Sequence, residues 1–333
     1  MKKPLPFLAG CLILTAAPCI ARGSADRIVL QPKLHVGQIL RYQIGYRAVT
    51  NTNTESTVAA PMAPTGGQTD ANIQLQVEVE DLRAEAGETL ARLRTRIFDE
   101  DAIPANAVAA NSTASTNGTP GSNGAENSSQ PGKIVELTLH SDGQVSDVEG
   151  LDKLTARERA AWQEWVDRFG GAAPFPQKGI KPGDKWKREE PIPESLLAGL
   201  FWEKESEYVN NSPCAATRLS PPGGPSAGKQ PQETCAVILT TAILKQKSSQ
   251  NNATPEDYKL HDLRNMGSAQ GKNQIISYFS LETGLVVRAT EDANQSMNLT
   301  VSKTDGSNQV HYDIEAESHA RVLLLADAPA RNP

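Results

Sequence analysis

Aromatic side chains are scarce in this chain, at 5% of 333 residues, and cysteine is scarcer, at four residues. Histidine occurs five times, as His35, His140, His261, His311 and His319. They form no His-Glu-x-x-His and no Cys/His ligand spacing, so the pattern indicates no metal site. No Walker or Rossmann glycine pattern follows a strand, so no nucleotide cofactor is expected. No stretch after the first 25 residues approaches 18 consecutive apolar positions, which excludes a membrane-spanning helix in the rest of the chain. Acids outnumber bases, 39 to 33, for a net charge of −6. An acidic surface repels phosphate backbones, so nucleic acid is excluded as a partner.

What is present begins with an export signal. Met1-Lys2-Lys3 is basic, Leu5–Ile20 is apolar, and Gly23-Ser24-Ala25 supplies small residues for a peptidase. Cleavage is expected between Ala25 and Asp26, giving a signal peptide over residues 1–25. Leu8-Ala9-Gly10-Cys11 matches a lipobox, but too few apolar residues precede it. The chain therefore reads as cleaved, and lipid anchoring at Cys11 is disfavoured. Periplasmic or extracellular residence follows. Loss of Lys2, Lys3 and Arg22 makes the remaining chain more acidic still.

Removal of the leader also takes Cys11 and Cys19, leaving Cys214 and Cys235. Two cysteines in an oxidising compartment pair, so a disulfide is expected between them. Closing a loop of that length stabilises by about 3 kcal/mol in the chain-entropy model.

Period-two alternation dominates the rest. Leu40, Tyr42, Ile44 and Tyr46 alternate with polar residues, as do Ile73, Leu75, Val77 and Val79, and Ala91, Leu93, Thr95 and Ile97. Such alternation marks antiparallel strands with one face on a core. Further strands are expected at 235–246, 258–264, 274–281, 285–291, 297–303 and 309–323. Asp142-Gly143 and Glu282-Thr283-Gly284 read as hairpin turns. One helix is clear. Thr155 and Glu158 form a capping box. Trp162, Trp165, Val166 and Phe169 make one apolar stripe, and Gly170-Gly171 stops it. A second, shorter helix is expected over 193–201, with Pro193 at its start. The fold class is thus mainly β (α+β): a curled antiparallel sheet with one amphipathic helix packed on it.

Residues 26–323 read as a single β-rich domain, followed by a C-terminal tail, 324–333. Weak internal similarity suggests two related halves, 26–150 and 151–323. Three segments rich in Asn, Ser, Thr, Gly, Ala or Pro, 50–72, 103–132 and 212–234, are expected to be disordered loops.

Two groups of turns carry a resemblance. Leu34–Tyr42 and Gly183-Asp184-Lys185-Trp186 are similar to segments of uncharacterised exported bacterial β-rich proteins, a domain of unknown function. Ser280-Leu281-Glu282-Thr283-Gly284-Leu285-Val286-Val287 resembles the hairpin of the periplasmic lipoprotein-carrier half-barrel superfamily. The first resemblance implies no activity. The second implies a curled half-barrel closed by helices around an apolar groove that binds an acyl chain or another apolar ligand.

Catalytic motifs fail on context. Gly224-Pro225-Ser226-Ala227-Gly228 lies in a Pro/Gly-rich loop with no helix behind it, unlike a nucleophile elbow. His261-Asp262 reads as a wet surface pair. Arg92, Arg94 and Arg96 read as a solvated strand face paired with Glu78 and Glu80, rather than as an anion ladder. Trp162, Trp165 and Phe169 are candidates for a ligand groove, although a helical stripe normally faces the core. The sequence therefore reads as an exported, non-enzymatic protein that binds an apolar or lipidic ligand in the concavity of its sheet. The alternative is a structural or protein-interaction module of the cell envelope, with another envelope protein as its partner.

Overall fold

The computed structural model describes residues 27–57, 64–85, 88–99, 132–141, 143–169, 175–176, 178–192, 195–217 and 232–326. The expected leader, Cys11 and the expected Ala25/Asp26 cleavage point lie outside them, as do residues 103–131 and 327–333.

Eleven strands form one antiparallel sheet: β1 (Ile39–Ser56), β2 (Thr65–Glu85), β3 (Glu88–Asp99), β4 (Lys133–His140), β5 (Val145–Glu149), β6 (Lys185–Pro191), β7 (Leu200–Cys214), β8 (Glu233–Gln246), β9 (Leu263–Ser280), β10 (Val286–Lys303) and β11 (Val310–Leu324). Their spatial order is β5-β4-β3-β2-β1-β11-β10-β9-β8-β7-β6. The chain starts in the middle of the sheet at β1 and meanders to the β5 edge. It then crosses to the β6 edge and returns strand by strand until β11 pairs with β1. The boundary between residues 26–150 and 151–323 falls at this crossing, and both sides share a single sheet.

The crossing carries helix α1 (Ala156–Phe169). Its start is capped as the motif requires: the Glu158 N–H donates to Thr155 Oγ1 at 3.2 Å, and the Thr155 N–H donates to Glu158 Oε2 at 2.7 Å. Its stripe, with Ala161, Trp162, Trp165, Val166 and Phe169, joins one apolar core with inward side chains from β1–β4 and β7–β11. So many strands meet around a single helix because the sheet curls about it, without closing. A second, smaller apolar cluster (Leu197, Leu200, Leu244, Ala253 and Leu299) lies toward the far ends of the long strands.

Several expectations are corrected. Residues 50–56 and 65–72 are not disordered: they form the end of β1 and the start of β2 and pair in register, Thr50 with Gly67 and Thr52 with Thr65. Threonine is β-branched and suits a strand, and the sheet supplies partners: β2 and β11 flank residues 50–52, β11 pairs with 53–56, and β1 pairs with 65–72. Residues 212–214 and 233–234 likewise end β7 and begin β8. Residues 258–260 are not strand. They belong to a short helix, α2 (Glu256–Leu260), which has Pro255 before its start and Glu256 and Asp257 in its first turn. No helix forms over 195–201, because Gly199 takes φ +73° and Leu200 opens β7. The strands expected at 285–291 and 297–303 are one continuous strand, β10. Leu324 belongs to β11 and Leu325 bridges to Thr217, so the ordered chain runs past 323.

The turn at 282–284 requires its glycine. Gly284 has φ +69°, and a Cβ there would meet the Gln31 carbonyl oxygen of the N-terminal segment that crosses it.

Candidate ligand-binding face

The strand register resolves the inward face of the sheet into rows. One row, under α1, reads Ile73, Ile44, Val322, Ala289, Ser277, Ile238, Tyr208 across β2, β1, β11, β10, β9, β8 and β7. The next reads Ala71, Tyr46, Ala320, Glu291, Ile275, Thr240, Ser206, and reaches Trp186 on β6. The third reads Thr69, Ala48, Ser318, Ala293, Asn273, Ala242, Lys204, Arg188. A fourth continues with Gly67, Thr50, Ala316, Gln295 and Gly271. Beyond it the second apolar cluster begins. On β1, β2 and β11 the side chains thus shrink from Ile and Val beneath the helix to Ala, Ser, Thr and Gly beyond it, while β10, β9, β7 and β6 contribute Gln295, Asn273, Lys204 and Arg188.

Among the described residues, part of this floor is accessible. Thr69, Ala48, Ser318, Thr50, Ala316 and Gly271 are all half-exposed, unlike the fully buried Ile44 and Ile73. Trp202, inward on β7, borders it. A Cβ on Gly271 would come within 3.1 Å of the Trp202 ring, so the indole lies across the strand between them. The Asn294 carbonyl oxygen would be nearer still, at 2.9 Å, so backbone and ring together leave no room for a side chain at 271.

The polar edge of α1 overhangs the second and third rows. Arg168 is buried and ion-paired with Glu291 of β10 and, at 3.1 Å, with Glu164 one turn back. Asn273 of β9 donates from Nδ2 to Glu291 Oε1. Lys204, also buried, pairs with Glu190 of β6 at 2.6 Å. Burial raises the Glu164 carboxyl above the usual range despite Arg168, and it raises Asp167 in the same direction. The Asp167 side chain is itself exposed, beside the exposed Gln163 that bonds it. Burial, and then the charge on Glu164, raise the Tyr46 phenol.

The stripe proposed for a groove is placed in the core. Trp162, Trp165 and Phe169 are 2%, 0% and 2% exposed, and Trp165 stacks on Phe169 at 4.8 Å. Trp162 Nε1 donates to Thr95 Oγ1 at 3.1 Å. Tyr42 closes the aromatic cluster, 6.1 Å from Trp165 and 5.9 Å from Phe169. No ligand surface is left on those three rings, because the sheet curls tightly enough to bury them. The Tyr42 hydroxyl and Trp165 Nε1 find no hydrogen-bond partner among the described residues.

Other candidates resolve as structure. Cys214 and Cys235 form a disulfide between β7 and β8, with Cα atoms 5.8 Å apart. Arg92 and Arg94 bind Glu80 and also Glu136, on β4, which the sequence reading did not include. The Glu136 carboxyl is held below its usual range by these two guanidinium donors. His261 and Asp262 are exposed at the end of α2. His311 and His319 occupy the outward face, beside Asp313 and Asp292. That face carries a polar trough of about 730 Å³ at Gly45, lined by Arg47, Asp70, Asp292, His319 and Arg321. Ser146 Oγ lies 2.9 Å from His140 Nε2, and Glu88 lies 3.9 Å from the other ring nitrogen. The hydroxyl, however, donates to Asp147 at 3.1 Å. Among the described residues, no cluster of His, Cys, Asp and Glu has metal-binding geometry.

Glu164, Asp167 and Arg168 are not singled out in the sequence analysis. One signal was available: Arg168 stands three residues after Trp165 and one before Phe169, at the edge of the apolar stripe.

No family model matches the chain, and no curated protein matches it. Among solved structures, one from Parabacteroides distasonis, provisionally described as a lipoprotein, overlaps 90% of this chain and 98% of its own, at 8% identity and a TM-score of 0.23. The outer membrane protein OprG from Pseudomonas aeruginosa overlaps 88% and 98%, at 9% identity and a TM-score of 0.17. Likenesses at these scores carry no weight for fold or function.

Proposed function

We propose that this chain is an exported, non-enzymatic envelope protein that holds an apolar or lipidic ligand on the inward face of its sheet. The ligand lies beyond α1 rather than beneath it. One observation carries the reading. Between two apolar clusters, the register lines up a half-exposed floor of small side chains, Ala48, Thr50, Ala316 and Ser318 among them. A packed core fills such space with large side chains, so a floor of small ones leaves room for a guest. The disulfide supports an oxidising compartment.

Filling the floor tests this. Ala316→Trp, or Ser318→Trp in its place, should weaken binding of dodecanol at least about tenfold, while the thermal midpoint moves little. Wild-type affinity retained in both variants, with the fold intact, would refute the reading.

A further inference from the structure

The outward face carries a local excess of positive charge on a chain that is acidic overall. Three successive outward rows begin Gln76–Arg41, Gln74–Gln43 and Asn72–Gly45 and run from β2 toward β9. Among the described residues, Arg41, Arg288 and Arg321 are the charged side chains of these rows, and no acid interrupts them. The following row, Asp70, Arg47, His319 and Asp292, is mixed. Asp70 lies 3.8 Å from Arg47, and Asp292 is taken by His319. Arg41, Arg47, Arg288 and Arg321 thus stand against Asp70 and Asp292, a surplus of two positive charges. The next acids on either side are Glu78, which lies opposite Arg94, and Glu317, which shares its row with Lys272. Glu291 points inward, to Arg168.

Arg321 is the centre of this surplus. It is exposed and has no side-chain partner among the described residues. Arg47 and Arg288 are its diagonal neighbours on β1 and β10, with Cα atoms about 7–8 Å away. Gly45 is a separate observation. It sits beside Arg321 in the interior of β1, where glycine weakens a strand. Its φ is not positive, and a Cβ there would meet nothing within 4 Å. Neither backbone nor packing therefore requires glycine. What its missing side chain does is open the trough of about 730 Å³ beside Arg47, His319 and Arg321. A strand glycine of this kind marks the close approach of another group.

A carboxylate would bring a single negative charge. A phosphate monoester brings about −1.5 to −2 at neutral pH, with three acceptor oxygens, and so matches the surplus. Guanidinium groups are the side chains best suited to it. We propose that the outward face binds a phosphate monoester at Arg321, over the bare backbone of Gly45, with Arg47 and Arg288 on either side. Asp313, Glu315 and Glu317 follow on the same face of β11 and repel a longer polyanion. The site lies on the opposite face from the floor of small residues and does not rest on the ligand reading above.

The test uses the full exported protein at pH 7 and low salt. Calorimetry measures inorganic phosphate against acetate, and co-sedimentation measures phosphatidylcholine vesicles with and without phosphatidic acid, whose head is a phosphate monoester. Phosphate, free or on the vesicle, should bind at least about tenfold more tightly than acetate or plain phosphatidylcholine. Binding of both phosphate probes would identify a free phosphate as sufficient, and binding of the vesicle alone would place the group on a lipid head. Arg321→Gln should weaken the interaction at least about tenfold. Gly45→Val should do the same by filling the trough, without lowering the thermal midpoint. Lys187→Gln removes the same charge at the β6 edge and should leave binding unchanged. Failure of both phosphate probes, equal binding of acetate, or an equal loss in Lys187→Gln would overturn the proposal. So would wild-type affinity in folded Arg321→Gln or Gly45→Val; should one of these not fold, the other decides.

Discussion

Arg168, in the last turn of α1, is ion-paired with Glu291 in the middle of β10, and both side chains are at least nine-tenths buried. The pair fixes the helix end against the sheet where the apolar core gives way to the floor of small residues. Two buried charges are tolerated only together, because either one alone keeps its desolvation cost without its partner.

Arg168→Met should therefore destabilise the protein by about 3–5 kcal/mol, since it strands Glu291 and Glu164. Adding Glu291→Met should recover much of that loss. Urea denaturation of the two single variants and the double variant measures both effects. Additive losses would show that the pair is not coupled.

The capping box makes a separate claim on α1. Thr155→Ala removes the hydroxyl that accepts the Glu158 N–H and should cost about 1 kcal/mol. Trp165→Ala, in the same helix but fully buried, should cost about 3–5 kcal/mol. Thermal melts that rank the two the other way would contradict the packing of the stripe.

Removing the disulfide should weaken the fold without rearranging the sheet. Cys214→Ser with Cys235→Ser should lower stability by about 3 kcal/mol in the chain-entropy model, because the cross-link restricts the unfolded chain. Thiol titration of denatured, unreduced wild-type protein should find neither Cys214 nor Cys235 reactive. Two reactive thiols would show the bond absent.

Acid should act in opposite directions on two parts of α1. Burial alone would raise Glu158, but the Lys133 ammonium and the Thr155 donors outweigh it and hold the carboxyl below its usual range. Its contribution is present above the unfolded-state value and is lost as pH falls through the lower folded value. Asp167 is raised, so its contribution at neutral pH is unfavourable and is relieved as pH falls through the folded value. Stability measured from pH 7 to pH 3 should show Glu158→Gln flattening the acid loss. Asp167→Asn should stabilise near neutrality and lose its advantage in acid. A constant offset across the range for Asp167→Asn would contradict this account.

Much of the architecture was legible in the residues. The alternation of Tyr42 with Gln43 and of Ile73 with Gln74 marked strands with one wet face, because side chains on a strand point to opposite sides in turn. Thr155, Glu158 and the stripe to Phe169 marked the helix and its start. These signals are local, and so they survive in the sequence alone. The misread segments are those where the local signal was weak. The stretch around Thr50 carries no large apolar residues, and it is a strand only because β2 and β11 pair with it on both sides.

The sequence by itself determined an antiparallel sheet, one capped helix, the pairing of Cys214 with Cys235 and an acidic net charge. Tertiary structure alone decided that β11 returns beside β1, that the aromatic stripe is core rather than groove, and that Arg168 meets Glu291 across the rows of the sheet. Periodicity specifies which face of a segment is buried. It does not specify which distant segment lies opposite, because that choice is made by register and packing over the whole sheet.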